Sequence, residues 1–135
     1  MTDQASNTPS QAAPIRHALV VDDDATMVEF FRVVLTHLGY DVSVAFDGLA
    51  ALDQCRKCAF ELVVCDIRMP RLSGISFLNN VSRACPDKNR RIIMVSGIDD
   101  KSLAREAVAA GASQFLLKPV TMKVFIETVK SVMAD

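Results

Sequence analysis

The chain has 135 residues, half of them apolar, and a net charge of −1. That length suits one domain with a sizeable core, and the near-neutral charge excludes a general attraction to nucleic acid or acidic lipid. No apolar stretch approaches the ~18–20 residues of a membrane span, and the first residues lack the basic and apolar regions of a secretory leader.

Residues 1–14 are almost all Ser, Thr, Gln, Asn, Ala and Pro; they bury too little to order themselves and predict a disordered tail, leaving 15–135 as the domain. A strand is predicted over 17–21, and its apolar run ends in Asp22, Asp23 and Asp24. Met27, Phe31, Val34 and Leu38 then recur at helical spacing, with Asp24 as N-cap and Gly39 as C-terminal stop. A strand over 41–45 leads to a helix over 48–57, with Leu49, Leu52 and either Cys55 or Arg56 on one stripe. The strand predicted over 61–65 runs directly into Asp66. A weaker helical stripe follows at Ile75, Leu78, Asn79 and Ser82. A strand over 91–95 ends at Ser96, and an alanine-rich helix over 102–110 stops at Gly111, a natural left-handed cap. A strand over 113–117 ends at Lys118, and a last helix over 121–133 carries Phe125, Val129, Val132 and Met133, with Thr121 as N-cap.

Alternating β and α units of this length imply a parallel sheet with right-handed crossovers and helices on both faces. The near-continuous apolar strands fit burial on both sides. Ligands in such sheets gather at the carboxyl ends of the strands, where Asp22–Asp24, Asp66, Ser96 and Lys118 all fall. None of the five glycines forms a phosphate-binding G-x-G-x-x-G or G-x-x-x-x-G-K loop.

A lone carboxylate at the end of a buried strand costs several kcal/mol, roughly, unless a partner offsets it. Carboxylates joined by a turn carbonyl make a hard oxygen site suited to Mg2+. A carboxylate nucleophile beside such an ion can accept a phosphoryl group as an aspartyl phosphate. The equatorial oxygens of that group need neutralising; the metal, the Lys118 ammonium and the Ser96 hydroxyl with nearby backbone N–H groups would serve one each.

Four ordered signatures now carry a resemblance. They are Leu19-Val20-Val21-Asp22-Asp23-Asp24; Asp66-Ile67-Arg68-Met69-Pro70 with Gly74; Met94-Val95-Ser96-Gly97; and Ala107, Ala110-Gly111-Ala112 with Phe115-Leu116-Leu117-Lys118-Pro119. From about Arg16 to Met133 the chain resembles the receiver domains of two-component response regulators, of the chemotaxis-regulator type. The resemblance implies a (βα)5 flavodoxin-like fold with strand order 2-1-3-4-5. It implies Asp66 as phosphoacceptor, and Mg2+ held by Asp22, Asp23, Asp66 and the Arg68 carbonyl. It further implies Lys118 on the phosphoryl oxygen, with a cis Lys118–Pro119 bond, and a switch through Ser96 and Phe115. Arg68 and Ile98 would tune phosphoryl lifetime, bulky Arg68 and apolar Ile98 hindering the attacking water. For Phe115, packing and switching both stay open.

The implied donor is a histidine kinase or histidine phosphotransfer protein. Output would run through a face built from residues 102–110, 113–117 and 121–133, with Ala109, Val120, Met122 and Lys123 on it. A phosphorylation-dependent homodimer through that face is left open. No direct nucleic-acid or membrane partner is expected, nor an enzyme beyond self-phosphorylation and slow self-dephosphorylation. Two rival functions stand beside this one. A Mg2+-dependent aspartyl-phosphate phosphatase would use Asp22 and Asp24 as a D-x-D pair but leaves Asp66 unexplained. An unphosphorylated pseudo-receiver that only binds protein is disfavoured by the complete acidic set. The four cysteines, including the C-x-x-C of Cys55 and Cys58, are read as reduced, buried residues of a cytoplasmic protein. His17 and His37 are read as lacking partners, and Lys88, Arg90 and Arg91 near Asp87 as a solvated loop.

Overall fold

A computed structural model describes residues 15–85, 89–97 and 102–134. The predicted tail and Ile98 lie outside the described residues, as do Asp87 and Lys88. The elements are β1 (Arg16–Val21), α1 (Ala25–His37), β2 (Tyr40–Ala45), α2 (Gly48–Lys57), β3 (Leu62–Asp66), α3 (Gly74–Ala84), β4 (Arg91–Ser96), α4 (Leu103–Ala109), β5 (Gln114–Leu117) and α5 (Met122–Met133). All strands pair in parallel in the order β2-β1-β3-β4-β5, as the resemblance implied.

Burial follows position in the sheet. The central strands β3 and β4 are buried almost throughout, whereas the edge strands β2 and β5 are mostly half-buried. Alternation along the central strands feeds two cores. Leu19, Val21, Val63, Cys65 and Met94 pack with Leu52 of α2, Phe77, Leu78 and Val81 of α3 and Ala107 of α4. Ala18, Val20, Val64, Ile93 and Val95 pack with Phe31 and Leu35 of α1 and Phe125 and Val129 of α5. The Phe31 and Phe125 rings meet at 4.7 Å, joining α1 to α5.

The helix ends explain themselves locally. Asp24, Asp47, Ser73 and Thr121 each accept a hydrogen bond from a first-turn N–H. Gly39 and Gly111 stand just past α1 and α4 with φ of 96° and 113°, the left-handed stops expected there.

Several local readings need correction. On α2 the inward stripe is Ala51, Leu52 and Cys55, while Leu49 and Arg56 face water. On α3 the buried face is Phe77, Leu78 and Val81, not the stripe through Asn79 and Ser82; the larger apolar side chains win the interior because they remove more area from water. Cys58 is exposed just after α2, so the C-x-x-C pair does not share one environment. Burial pushes the Cys55 thiol up to about 11, which keeps it protonated. His17 is not without a partner: its Nδ1 lies 3.4 Å from Asp41 Oδ2. Arg91 is half-buried and donates through Nε to the Val132 carbonyl at 3.2 Å, tying β4 to α5 rather than forming a solvated loop.

Candidate functional site

The sheet register assembles the site. Val21 of β1 pairs with Cys65 of β3, so Asp22 and Asp66, one residue further on, emerge side by side at the carboxyl edge. Asp22 is 1% exposed and Asp66 6%, while Asp23 faces solvent. One carboxylate oxygen from each of the three lies within 4.8 Å of the others. Asp22 is held from both ends: its N–H donates to the Ala45 carbonyl at 3.2 Å, and its Oδ1 accepts from Asp24 N–H at 2.9 Å. Asp24 itself turns away to cap α1, with its Oδ1 2.9 Å from Thr26 N.

Lys118 reaches the site from the far edge of the sheet. It follows β5, and its N–H donates to the Ser96 carbonyl at 2.7 Å. From there its side chain crosses the end of β4 and puts Nζ 3.3 Å from Asp22 Oδ2 and 3.5 Å from Asp66 Oδ2. The Lys118–Pro119 bond is cis. Ser96 ends β4 opposite Leu117 and is fully buried. Phe115, on β5 opposite Met94, is half-buried against the α2–α3–α4 core.

The loop after β3 is fastened closely to the strand end. Ile67 N–H donates to the Val95 carbonyl at 3.0 Å, and Gly74 N–H returns to the Ile67 carbonyl at 2.8 Å. A Cβ on Gly74 would stand 2.4 Å from the Asp66 carbonyl oxygen and 2.8 Å from Ile67 Cα, which is why the residue there is glycine. Arg68 N–H donates to the Asp66 carboxylate; the Arg68 side chain is exposed.

Electrostatics leave the site short of positive charge. Burial, then the neighbouring Asp22 charge, pushes Asp66 up to about 6, against the opposing pull of Lys118 and Arg68 N–H. Burial likewise raises Asp22, only partly offset by Asp24 N–H and Lys118. Burial alone would lower Lys118, but the two carboxylates outweigh it and hold the ammonium above its ordinary value. Among the described residues, one ammonium thus faces three carboxylates. A divalent cation fits both the deficit and the all-oxygen donor set. A larger groove of about 920 Å³ between α1 and α5, lined by apolar side chains such as Phe30, Val33, Leu38 and Ile126, holds none of these acids.

The structure therefore brings Asp22, Asp23, Asp66, Ser96, Lys118 and the Arg68 main chain to one edge. On the expected output face Ala109, Met122 and Lys123 are exposed and Val120 is half-buried. Sequence reasoning missed the exposed Val108 and Val124 beside them, because helical spacing alone does not say which apolar residues stay outside. It also missed Asp47 as the N-cap of the helix it began at Gly48; an Asp-Gly pair before a helical stripe was the available signal.

Comparison with known proteins agrees with this geometry. Residues 18–130 match the family model described as the response regulator receiver domain. The chemotaxis protein CheY of Treponema pallidum is 32% identical over 124 residues, which cover 90% of this chain and 84% of that protein. The transcriptional regulatory protein ZraR of Salmonella typhimurium is 34% identical over 116 residues, 86% of this chain but only 26% of ZraR; the chain thus spans about a quarter of that relative. The solved structure of the chemotaxis response regulator CheY4 of Vibrio cholerae superposes with a TM-score of 0.82 at 28% identity, covering 89% of this chain and all of that one. With the family model spanning most of the sequence, the chain belongs to the response regulator receiver domains of two-component signalling.

Proposed function

We propose that Asp66 accepts a phosphoryl group from a phosphohistidine on a histidine kinase or histidine phosphotransfer protein, in the presence of Mg2+. The observation that carries this is the buried Asp66 beside Asp22, with Lys118 Nζ within 3.5 Å of both. Asp22, Asp23, Asp66 and the Arg68 carbonyl would hold the ion. When bound, the ion supplies positive charge to a phosphoryl oxygen and to the crowded carboxylates.

The chain's own residues do the rest. An Asp66 carboxylate oxygen attacks phosphorus; the P–N bond to the donor histidine breaks, and the nitrogen keeps the electron pair. Arg68 N–H orients the Asp66 carboxylate for that attack. Lys118 leaves its two-carboxylate seat to neutralise a phosphoryl oxygen, which is favourable because phosphorylation moves the negative charge of Asp66 onto the phosphoryl group. The buried Ser96 hydroxyl moves to donate to another oxygen, and Phe115 follows by changing rotamer. These contacts to the phosphoryl group are made mainly in one of two packings, so phosphorylation shifts the population toward that packing. The readout is a changed surface on α4, β5 and α5, where Val108, Met122 and Val124 are exposed, for an output protein or a second copy. Arg68 and Ile98 tune phosphoryl lifetime.

The phosphatase reading loses its acid: Asp24 is engaged as the cap of α1. The test is phosphoryl uptake from acetyl phosphate with Mg2+, read as a mobility shift on a phosphate-affinity gel. Wild type shifts and Asp66→Asn does not. A shift of equal size in Asp66→Asn refutes the assignment, and repeated release of inorganic phosphate from small esters would restore the phosphatase.

A further inference from the structure

The loop from Ile67 to Ser73 is pinned at both ends, by Ile67 to Val95 and by Gly74 to Ile67. Between the pins, the chain makes a tight reversal. Leu72 N–H donates to the Pro70 carbonyl at 2.8 Å, and the central Arg71 has a φ of 72°. Arg71 is the one non-glycine with a left-handed φ among the described residues. A three-residue turn of this kind is strained and persists only where surroundings enforce it.

The enforcing surroundings belong to α2. Gly48, the first residue of α2, lies flush under Leu72: a Cβ there would stand 2.2 Å from the Leu72 carbonyl oxygen and 2.8 Å from Leu72 Cβ. Asp47, the α2 N-cap, splits its carboxylate between two tasks. Oδ1 accepts from Ala50 N–H at 2.8 Å, and Oδ2 lies 3.7 Å from Arg71 Nε. The Arg71 side chain is 64% exposed, and exposed pairs contribute little. Close backbone packing at Gly48 is the stronger constraint, and the ion pair is auxiliary.

We infer that Gly48, assisted by Asp47, is a positioning residue for the acidic site: α2 clamps the Pro70–Arg71–Leu72 turn and thereby fixes the Arg68 main chain against Asp66. With Ile67 and Gly74 held, a displacement of Leu72 spreads over the stretch between them, and Arg68 is the residue of that stretch bonded to the Asp66 carboxylate. A shifted Arg68 misaligns both its N–H to the Asp66 carboxylate and its carbonyl toward the cation. The inference rests on the proposed Mg2+ site and names a residue outside it that sets its affinity.

The experiment is Mg2+ titration by calorimetry, with backbone amide exchange in metal-free protein, on wild type, Gly48→Ala, Arg71→Gly and Val129→Ala. Val129 of α5 is buried in the opposite core, so its truncation reports on stability alone. Gly48→Ala is expected to weaken Mg2+ binding about tenfold, the usual cost of losing support behind a metal ligand, and to speed exchange at Arg68 N–H. Arg71→Gly, which relieves the left-handed strain and loosens the turn, is expected to weaken Mg2+ binding without lowering Tm. Val129→Ala is expected to lower Tm and leave the affinity unchanged. Wild-type affinity in Arg71→Gly, or losses in Gly48→Ala and Val129→Ala that merely track Tm, would overturn the inference. Should Gly48→Ala fail to fold, Leu72→Gly, which removes the Cβ lying over Gly48, takes its place with the same expected loss of affinity and the same refuting result. A wild type that takes no Mg2+ overturns the proposed site itself, a separable outcome.

Discussion

Replacing Asp66 by asparagine should stabilise the metal-free chain at neutral and alkaline pH, and the size of the effect follows from its burial. The folded protein keeps this carboxyl protonated up to about 6, against an ordinary value of 3.8. Between those values the folded state binds more protons than the unfolded state, so stability falls as pH rises through that window. Above about pH 6 the whole cost of ionising Asp66 in place is carried by the fold; at about 1.4 kcal/mol per pH unit it is roughly 3 kcal/mol at most. Asparagine keeps the shape and never ionises. Asp66→Asn should therefore match wild type below pH 4 and exceed it by about 1–3 kcal/mol at pH 8, read as a rise of roughly 1–2 M in the urea midpoint. Far-UV circular dichroism is the right probe, since the chain has no tryptophan and one tyrosine. Saturating Mg2+ should shrink the difference, because the ion stabilises the wild type more. A variant no more stable than wild type at pH 8, or a gain that does not change with pH, refutes the electrostatic account.

Three further outcomes are expected. Lys118→Met removes the ammonium that offsets Asp22 and Asp66, and should cost about 1–2 kcal/mol at pH 8 after allowance for its partial exposure, with the loss shrinking in urea melts run near pH 4. Mg2+ at about a hundred times its Kd should add roughly 2.7 kcal/mol to wild-type stability, a rise of several degrees in Tm that EDTA reverses. Gly74→Ala places a methyl group against the Asp66 carbonyl and Ile67; thermal denaturation should show a loss of about 1–3 kcal/mol.

Much of this was legible in the residue pattern, for identifiable reasons. The strands were found within a residue of their ends because runs such as Leu62–Asp66 are apolar throughout and stop at a charge. The convergence of Asp22 and Asp66 followed once the first and third strands were neighbours, an order that the resemblance implied, and Asp24 and Thr121 were recognisable as caps from their place before an apolar stripe. What the pattern could not say is which way a weakly amphipathic helix rolls: α3 buries Phe77 and Leu78 in adjacent positions, and α2 leaves Leu49 outside. Nor could it reveal long-range support. The Gly48–Leu72 contact joins the first residue of α2 to the loop after β3, and the Arg91–Val132 bond spans two elements; neither has a periodic signature. The roles of individual site residues came from resemblance, to which the geometry adds proximity and charge.

The most direct measurement is to map the phosphorylated residue. After incubation with Mg2+ and a phosphohistidine-bearing donor or acetyl phosphate, borohydride reduction converts an aspartyl phosphate to homoserine, which peptide mass spectrometry locates. Homoserine at position 66, abolished in Asp66→Asn, is the predicted result. Homoserine at 22 or 23 instead, or none under conditions where the protein binds Mg2+, would contradict it.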